Sequence, residues 1–185
     1  MRIDERFCMR IAAIIPARYG STRFPGKPLA RETGKYLIEH VYDQVCQAGT
    51  IDSVIIATDD VRIYDACIGF GAACEMTRAD HQCGTDRLAE VSERRPEFDI
   101  IVNVQGDEPE IDPGSIDKLV GLMLADSGAD MATLCAEISA QAEIDNPNIV
   151  KVVISSKKQA LYFSRSAIPY NRDGAEWRGA YMKHL

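Results

Sequence analysis

Three cationic side chains stand close together near the amino end of the sequence, at Arg18, Arg23 and Lys27. They lie within IAAIIPARYGSTRFPGKPL, residues 11–29, where two glycines and three prolines interrupt the chain. Guanidinium and ammonium groups form charge-assisted hydrogen bonds with phosphate oxygens, so such a cluster suits a polyphosphate. The residue types therefore predict a nucleotide site, and a solvated basic loop is the alternative.

The Walker P-loop, G-x-x-x-x-G-K-[ST], is the obvious competing explanation, and the segment departs from it. Five residues, rather than four, separate Gly20 from Gly26. Pro28 stands where the Ser or Thr ligand of magnesium should be, and it disfavours helical geometry at Lys27. We therefore expect side chains, rather than the amides of a helix amino end, to neutralise the phosphates.

A second set of reactive side chains follows the apolar run at residues 99–104, in the segment QGDEP at residues 105–109. Attack at an α-phosphorus needs a divalent cation to neutralise the phosphate oxygens. Magnesium prefers one or two carboxylates plus phosphate and water, and Asp107 would supply one. A tight turn with solvated acids is the alternative. Glu108 is the weaker candidate.

A third loop, TRADHQCGTDR at residues 77–87, is dense in hydrogen-bond donors and acceptors, which suits recognition of a base edge. We expect His81 to structure this loop rather than to act as a base. Thr85 or Asp86 is predicted to cap the helix that follows.

The acidic pair Asp59-Asp60 could bind a metal, but a helix cap is the favoured interpretation.

Apolar runs predict the strands that position these loops, at residues 11–15, 53–57, 72–76, 99–104 and 131–136. Pro16 is expected to end the first strand. Helical spacing predicts a helix from residue 37 towards Gly49, one over residues 61–68, one ending near Pro96, and one opened by Asp112-Pro113. The alternation predicts an α/β fold with a mostly parallel central sheet and helices on both faces, which binds ligands at the carboxyl ends of its strands.

The pattern changes after Glu143, where residues 149–154 and 160–163 predict two strands with no helix between them. We expect a small hairpin-like subregion there. Residues 1–10 are interpreted as an N-terminal extension and residues 11–185 as one domain, in which residues 146–185 form the subregion. The length of 185 residues suits one domain with a substantial core.

Composition narrows the class of partner. The net charge is −7, and 46% of the residues are hydrophobic. An acidic chain with only local cations argues against nucleic acid and matches a small anionic ligand. The six cysteines include no C-x-x-C pair, so we expect reduced thiols rather than a zinc site. With no signal peptide or membrane span expected, the predicted location is cytoplasmic.

Three long motifs carry a resemblance to a known family: IIPARYGSTRFPGKPL, TRADHQCGTDRLAEV and NVQGDEP. In this order they resemble the 3-deoxy-manno-octulosonate cytidylyltransferases, or CMP-Kdo synthetases, from about Ile11 to the last residue. The resemblance implies a nucleotide-diphospho-sugar transferase-like fold. It also implies a Mg²⁺-dependent transfer of CMP from CTP to the sugar acid Kdo (3-deoxy-D-manno-octulosonate), for lipopolysaccharide synthesis.

The resemblance assigns roles residue by residue. It implies nucleotide contacts from Pro16, Ala17, Arg18, Arg23, Lys27, Arg78, Cys83 and Gly84. It implies catalysis by Arg18, Lys27 and Asp107, with Mg²⁺ on Asp107, and sugar contacts from Gln105, Arg165 and His184. The usual serine of the family is Cys83 here, and a thiol would hydrogen-bond a base poorly. Arg165 suits a carboxylate because of its planar fork, with a surface ion pair as the alternative.

In the family a further carboxyl-terminal segment follows the position of Leu185, bringing more sugar contacts and a second aspartate for the metal. A fragment and a naturally shortened gene are both consistent with the sequence. Uncovered apolar surface would then be expected, and with it a homodimer or poor solubility. A cytidylyltransferase for another acidic sugar, or a chain that binds CTP without catalysis, are the alternative functions.

Overall fold

The computed structural model describes residues 9–20, 24–126, 128–172 and 181–185. By their internal contacts these residues form two compact units, Met1–Gly121 and Leu122–Leu185. The second unit thus begins before residue 146. None of the helices in the described part of the chain combines the length and hydropathy that crossing a bilayer requires.

The first unit alternates strands and helices. Its elements are β1 (Ile11–Ala17), a 3-10 helix (Lys27–Leu29), α1 (Leu37–Val45), β2 (Ser53–Thr58), α2 (Val61–Gly69), β3 (Ala73–Met76), α3 (Gly84–Arg94), β4 (Ile100–Asn103) and α4 (Pro113–Ala125), the last running into the second unit. Among the described residues, four strands pair in parallel in the order β3-β2-β1-β4. The predicted parallel α/β sheet is therefore confirmed.

Helices cover both faces of this sheet, as the sequence predicts. On β1, Ile11, Ala13 and Ile15 belong to one buried cluster, together with side chains of α1, α2 and α4. The alternate residue Ile14 belongs to a second cluster with residues of α3. Because successive side chains of a strand point to opposite faces, the continuous apolar run of β1 supplies both layers of the core.

The expectation that Pro16 ends the first strand is wrong. The strand continues to Ala17, and Pro16 pairs with Ala57 of β2. In this register the peptide groups of even-numbered residues face β4, since Val104 N donates to Ile14 O. Pairing with β4 ends at Ile14, so the donor that proline lacks would face a side with no strand partner.

Helix ends follow local chemistry. Asp60 caps α2, accepting from Arg62 N at 3.0 Å, which confirms the capping interpretation. α4 begins at Pro113 as expected, with Asp112 Oδ1 accepting from Gly114 N. α1 ends at Val45, one turn earlier than predicted.

The second unit is built on an antiparallel sheet. Its elements are β5 (Cys135–Glu137), α5 (Gln141–Asp145), β6 (Lys151–Ile154), β7 (Ala160–Ser164) and β8 (Met182–His184). The described strands have the order β5-β8-β6-β7. β6 and β7 pair antiparallel, so the predicted hairpin-like pair is confirmed.

The fifth predicted strand, at residues 131–136, is wrong in its bounds and in the sheet implied for it. It spans Cys135–Glu137 and pairs antiparallel with β8. Its partner lies far along the chain, and a local apolar run carries no information about such pairing. The short helix α5 was not predicted.

Candidate active site

The order of the parallel strands reverses at β1. From β1 the chain places β2 and β3 on one side, and then returns to place β4 on the other side of β1. Open α/β sheets bind ligands at such a reversal point, beyond the carboxyl ends of the strands. The loop after β1 carries Arg18 and Lys27, and the loop after β4 carries Gln105 and Asp107.

Lys27 and Asp107 meet at this reversal point. Lys27 Nζ lies 2.7 Å from Asp107 Oδ2 and donates a hydrogen bond to it, although the residues are 80 positions apart in sequence. Their side chains are 40% and 55% exposed. An ion pair this exposed adds little to stability. Its importance is positional, because the cationic loop and the acid share one surface.

Two glycines allow two chain segments to approach the end of β1 closely. A Cβ at Gly106 would lie 2.8 Å from the backbone oxygen of Pro16 and 3.3 Å from Ile38 Cδ1. A Cβ at Gly84 would lie 3.3 Å from Pro16 Cγ. The β1 end, the start of α3 and the loop after β4 are therefore packed together, with Pro16 and Ala17 at the centre.

The cationic loop turns back on itself around Tyr19. Gly26 N donates to Tyr19 O at 2.9 Å, and Gly26 adopts a positive φ of 71°. Lys27 then starts the 3-10 helix, so it adopts a helical geometry that Pro28 was expected to disfavour, and that expectation is wrong here. One 3-10 turn tolerates Pro28 because the first positions of a helix need no backbone donor. Arg18 is exposed.

The prediction for Arg23 falls on residues 21–23, outside the described residues. The structure therefore brings together Lys27, Asp107, Pro16 and Gly84 in the first unit, with Arg18 next to them in the chain.

The third loop leads into α3 through an unexpected cap. Cys83, rather than Thr85 or Asp86, is the N-cap residue, and Asp86 Oδ2 accepts from Cys83 N at 3.3 Å. Asp86 is thus the third helical residue of a capping box, in which the thiol takes the place usually held by serine or threonine. Cys83 and Gly84 lie at the helix start, and Gly84 lies beside Pro16.

Glu90 of α3 is hydrogen-bonded to two residues of the same loop. Its Oε2 accepts from Arg78 N at 3.0 Å and hydrogen-bonds His81 Nε2. The hydrogen bond with His81 is the main cause that lowers the pKa of Glu90, with the Arg78 amide and the charge of Arg94 adding to it against partial desolvation. His81 therefore structures the loop. The Arg78 guanidinium pairs with both carboxylate oxygens of Asp80.

A buried arginine that the sequence analysis missed lies behind this loop. Arg87 is 4% exposed, and its guanidinium donates to Asp59 Oδ2 at 2.9 Å and to Thr77 Oγ1. It ties the end of β2 to the start of the loop. The signal that could have found it is its place on the apolar stripe of α3, beside Leu88 and Val91.

The three candidate sugar contacts have different surroundings. Gln105 Nε2 is 3.5 Å from Asn103 Oδ1 and is otherwise exposed. In the second unit, Arg165 Nη1 donates to Pro147 O at 2.8 Å rather than to a carboxylate. His184 Nε2 is 2.8 Å from Thr133 Oγ1, and its ring meets Phe163 edge-on.

Asp107 is the candidate magnesium ligand, and the donors around it decide which other ligands the ion would need. In the described residues, no group of three or more His, Cys, Asp or Glu side chains is arranged to hold a metal. A single exposed carboxylate fits a magnesium ion that takes its other ligands from nucleotide phosphates and water. The residues present therefore suit a metal that arrives with a triphosphate.

Similarity to known proteins identifies a family for this chain. The sequence profile of a family described as Cytidylyltransferase matches residues 12–185. A 3-deoxy-manno-octulosonate cytidylyltransferase of Syntrophobacter fumaroxidans is 51% identical over 180 residues, covering 96% of this chain and 72% of the relative. One of Geobacter metallireducens is 52% identical over 165 residues, covering 89% and 65%.

A solved structure of CMP:2-keto-3-deoxy-manno-octonic acid synthetase, complexed with CTP, superposes with a TM-score of 0.89 at 48% identity. The superposition covers 95% of this chain and 71% of that one. The chain thus spans between 65% and 72% of the length of these relatives.

Proposed function

The chain belongs to the cytidylyltransferase family, among the 3-deoxy-manno-octulosonate cytidylyltransferases, and on this premise we propose that it transfers CMP from CTP to Kdo. The products are CMP-Kdo, for lipopolysaccharide synthesis, and pyrophosphate. The observation that carries the proposal is the meeting of Lys27 and Asp107 at the strand reversal point. A cation for phosphate and an acid for a metal are the two groups this chemistry needs.

In the reaction a hydroxyl of the sugar acid attacks the α-phosphorus of CTP, and the bond to pyrophosphate breaks. Lys27 and Arg18 stabilise the negative charge that develops on the leaving pyrophosphate. Arg23 assists them or holds the loop. No side chain of the described site is an evident strong base, so positioning and electrostatics carry most of the acceleration.

In this proposal Asp107 would hold magnesium through its carboxylate, whose Oδ2 accepts a hydrogen bond from Lys27 Nζ. Bound there, magnesium would neutralise phosphate oxygens of CTP. Because the contact between Lys27 and Asp107 is exposed, Lys27 can exchange it for a phosphate oxygen when CTP binds.

The cytosine lies against the loop that leads into α3. Backbone groups of Cys83 and Gly84 contact the base edge, since the thiol itself is a weak hydrogen-bond partner. Arg78 reaches the base after leaving Asp80, an exchange that is easy because the Arg78 and Asp80 side chains are 67% and 70% exposed. Gln105 contacts the sugar acid, and Arg165 and His184 of the second unit stay predicted sugar contacts, with Arg165 suited to a carboxylate.

The proposal includes a cytoplasmic homodimer. The described cysteines are free thiols, as expected in a reducing compartment. β7 lies at one edge of the described antiparallel sheet, and its exposed side chains include Leu161, Tyr162 and Phe163. An apolar edge strand exposed on both faces is a surface that pairs with another strand, here that of a second copy.

The test is release of pyrophosphate from CTP and Mg²⁺ with Kdo or with a nine-carbon sialic-type acid as acceptor. Turnover with Kdo and little with the nine-carbon acid is the expected result. Preference for the nine-carbon acid would instead identify a cytidylyltransferase for another acidic sugar. Binding of CTP in calorimetry without turnover on either acid would identify a chain that binds CTP without catalysis.

A further inference from the structure

We infer that Tyr19 and Arg62 are positioning residues that fix the loop carrying Lys27 before the nucleotide binds. The inference rests on the proposed function, because it concerns the lysine that contacts the triphosphate. Neither residue belongs to the set of side chains assigned above to the nucleotide, the metal or the sugar.

Arg62, at the start of α2, is paired with a carboxylate whose side chain is only 18% exposed. Its Nε and Nη2 donate to the two carboxylate oxygens of Asp60, at 2.9 and 2.6 Å. Asp60 is in turn the N-cap of the helix, accepting from Arg62 N. The guanidinium is therefore anchored to the end of the central sheet through a bidentate pair, the most directional form of such a contact.

The anchored guanidinium lies on the ring of Tyr19. Arg62 Cζ is 3.3 Å from the ring centroid, well within the range of a cation–π contact. The other end of the ring meets the loop, since a Cβ at Gly26 would lie 2.9 Å from Tyr19 Cε2. The ring is therefore in contact with α2 and with the residue that precedes Lys27.

The backbone completes the connection to the lysine. Gly26 N donates to Tyr19 O, which closes the loop, and Gly26 is the N-cap of the 3-10 helix that starts at Lys27. A side chain at Gly26 would displace the ring, and the positive φ there favours glycine as well. The position of Lys27 is thus set by Gly26, that of Gly26 by Tyr19, and that of Tyr19 by Arg62.

The charge of Arg62 supports a positioning role rather than a phosphate contact. Its guanidinium fork is already paired with Asp60, so the pair brings no net charge to the site. What the pair supplies is a fixed position for the Tyr19 ring and the loop against it. A loop that is fixed before the ligand arrives avoids the entropy cost of ordering at binding, which raises affinity without a new contact.

The test uses Arg62→Ala and Tyr19→Leu, with Tyr19→Phe as the conservative variant and Arg95→Ala as the matched control. Arg95 forms a comparable exposed pair with Glu75 but does not touch the loop. Hydrogen exchange at the Gly26 and Lys27 amides is measured without ligand. Arg62→Ala and Tyr19→Leu should speed exchange there, while Tyr19→Phe and Arg95→Ala should not.

The same variants are then compared in steady-state kinetics. The KM for CTP should rise about fivefold in Arg62→Ala and Tyr19→Leu, the size expected for loss of one partly exposed cation–π contact. The KM for Kdo should stay unchanged. Equal effects on both substrates, or exchange rates identical to those of the natural chain, would overturn the inference.

Failure of the proposed function has a different signature. If the natural chain forms no CMP-Kdo, the kinetic comparison loses its basis, but the exchange measurement needs no substrate. Unchanged exchange then still rejects the role of Arg62, and faster exchange still supports it.

Discussion

At the scale of single residues, the pair of Lys27 and Asp107 places one positive and one negative charge on the surface that we propose for the triphosphate. In that proposal the two groups serve different parts of one ligand, and in the structure Lys27 Nζ and Asp107 Oδ2 lie 2.7 Å apart. Because both side chains remain in contact with water, their attraction is weakened by the high dielectric of the solvent. A triphosphate can therefore replace this contact at low cost.

Lys27→Ala should lower turnover by a factor of about 10² to 10³, the loss typical of one electrostatic stabiliser of a transition state. Its free energy of unfolding should change by less than about 1 kcal/mol, because the pair is exposed. Pyrophosphate release and urea denaturation measure the two effects.

Lys35→Ala is the matched control, since Lys35 and Asp43 form a pair of similar length and exposure. This variant should keep full turnover. If Lys27→Ala released pyrophosphate at the natural rate, Lys27 would have no catalytic role.

Glu90 predicts a pH dependence of stability. Its folded pKa is lowered, so its stabilisation is fully present above the ordinary glutamate pKa of about 4.3 and is lost as the pH falls through the lower folded value. Glu90→Gln should therefore be less stable than the natural chain at neutral pH, with the difference narrowing below about pH 4.

Urea midpoints between pH 3 and 7 test this prediction about Glu90. Glu93→Gln, an exposed substitution on the same helix, should follow the natural chain throughout. A gap between Glu90→Gln and the natural chain that stayed constant down to pH 3 would rule out the hydrogen-bonded carboxylate as its source.

Part of the candidate site can be predicted from residue types alone. The cations and Asp107 could be selected from the sequence because each is a charged residue in a loop rich in glycine and proline. Arg87 is harder to select, because an arginine on a helix usually lies in solvent, and its place on the apolar stripe of α3 is its one sequence signal of burial against Asp59. Tyr19 was likewise hidden, because its partner Arg62 belongs to another element.

At the scale of elements, the start of α3 and the loop after β4 both approach the carboxyl end of β1, and glycine makes the closest approach possible. Gly106 lies so close to the Pro16 carbonyl that even a methyl group would overlap it. The overlap is with backbone, which cannot rotate away as a flexible side chain can. The loop that carries Asp107 is thus placed by an atom of the neighbouring strand.

Gly106→Ala should therefore displace the Asp107 loop. We expect a loss of about 1–3 kcal/mol in the free energy of unfolding, as for other overpacked sites, and turnover reduced at least tenfold. Gly69→Ala is the control, because a Cβ there meets open space. Natural activity in Gly106→Ala would show that the close contact does not fix the acid.

The elements of the first unit were predictable because each strand is an apolar run and each helix has a periodic stripe. The predictions failed where the structure of a segment depends on a contact that its local sequence does not reveal. Pro16 remains in β1 because its peptide edge has no partner to lose beyond Ile14. β5 joins an antiparallel sheet because β8, far along the chain, pairs with it. The cap of α3 falls on a thiol, which propensity does not favour.

At the scale of the whole molecule, the exposed edge strand β7 predicts self-association. Leu161→Lys should shift light-scattering masses from dimer towards monomer, because a charge on an apolar edge opposes strand pairing. Val61→Lys is the control, since Val61 is comparably exposed at 60%, against 64% for Leu161, but lies on a helix. A dilute natural chain that is cleanly monomeric would contradict the dimer.

The order β3-β2-β1-β4 also has a consequence for how the chain acquires its ligand affinity. A nascent polypeptide that has left the ribosome only as far as β3 already displays its lysine, but the matching acid emerges 80 positions later. In the proposed site the lysine and the acid therefore come together only when β4 has docked beside β1, so the pair can contribute to nucleotide binding only after that step of folding.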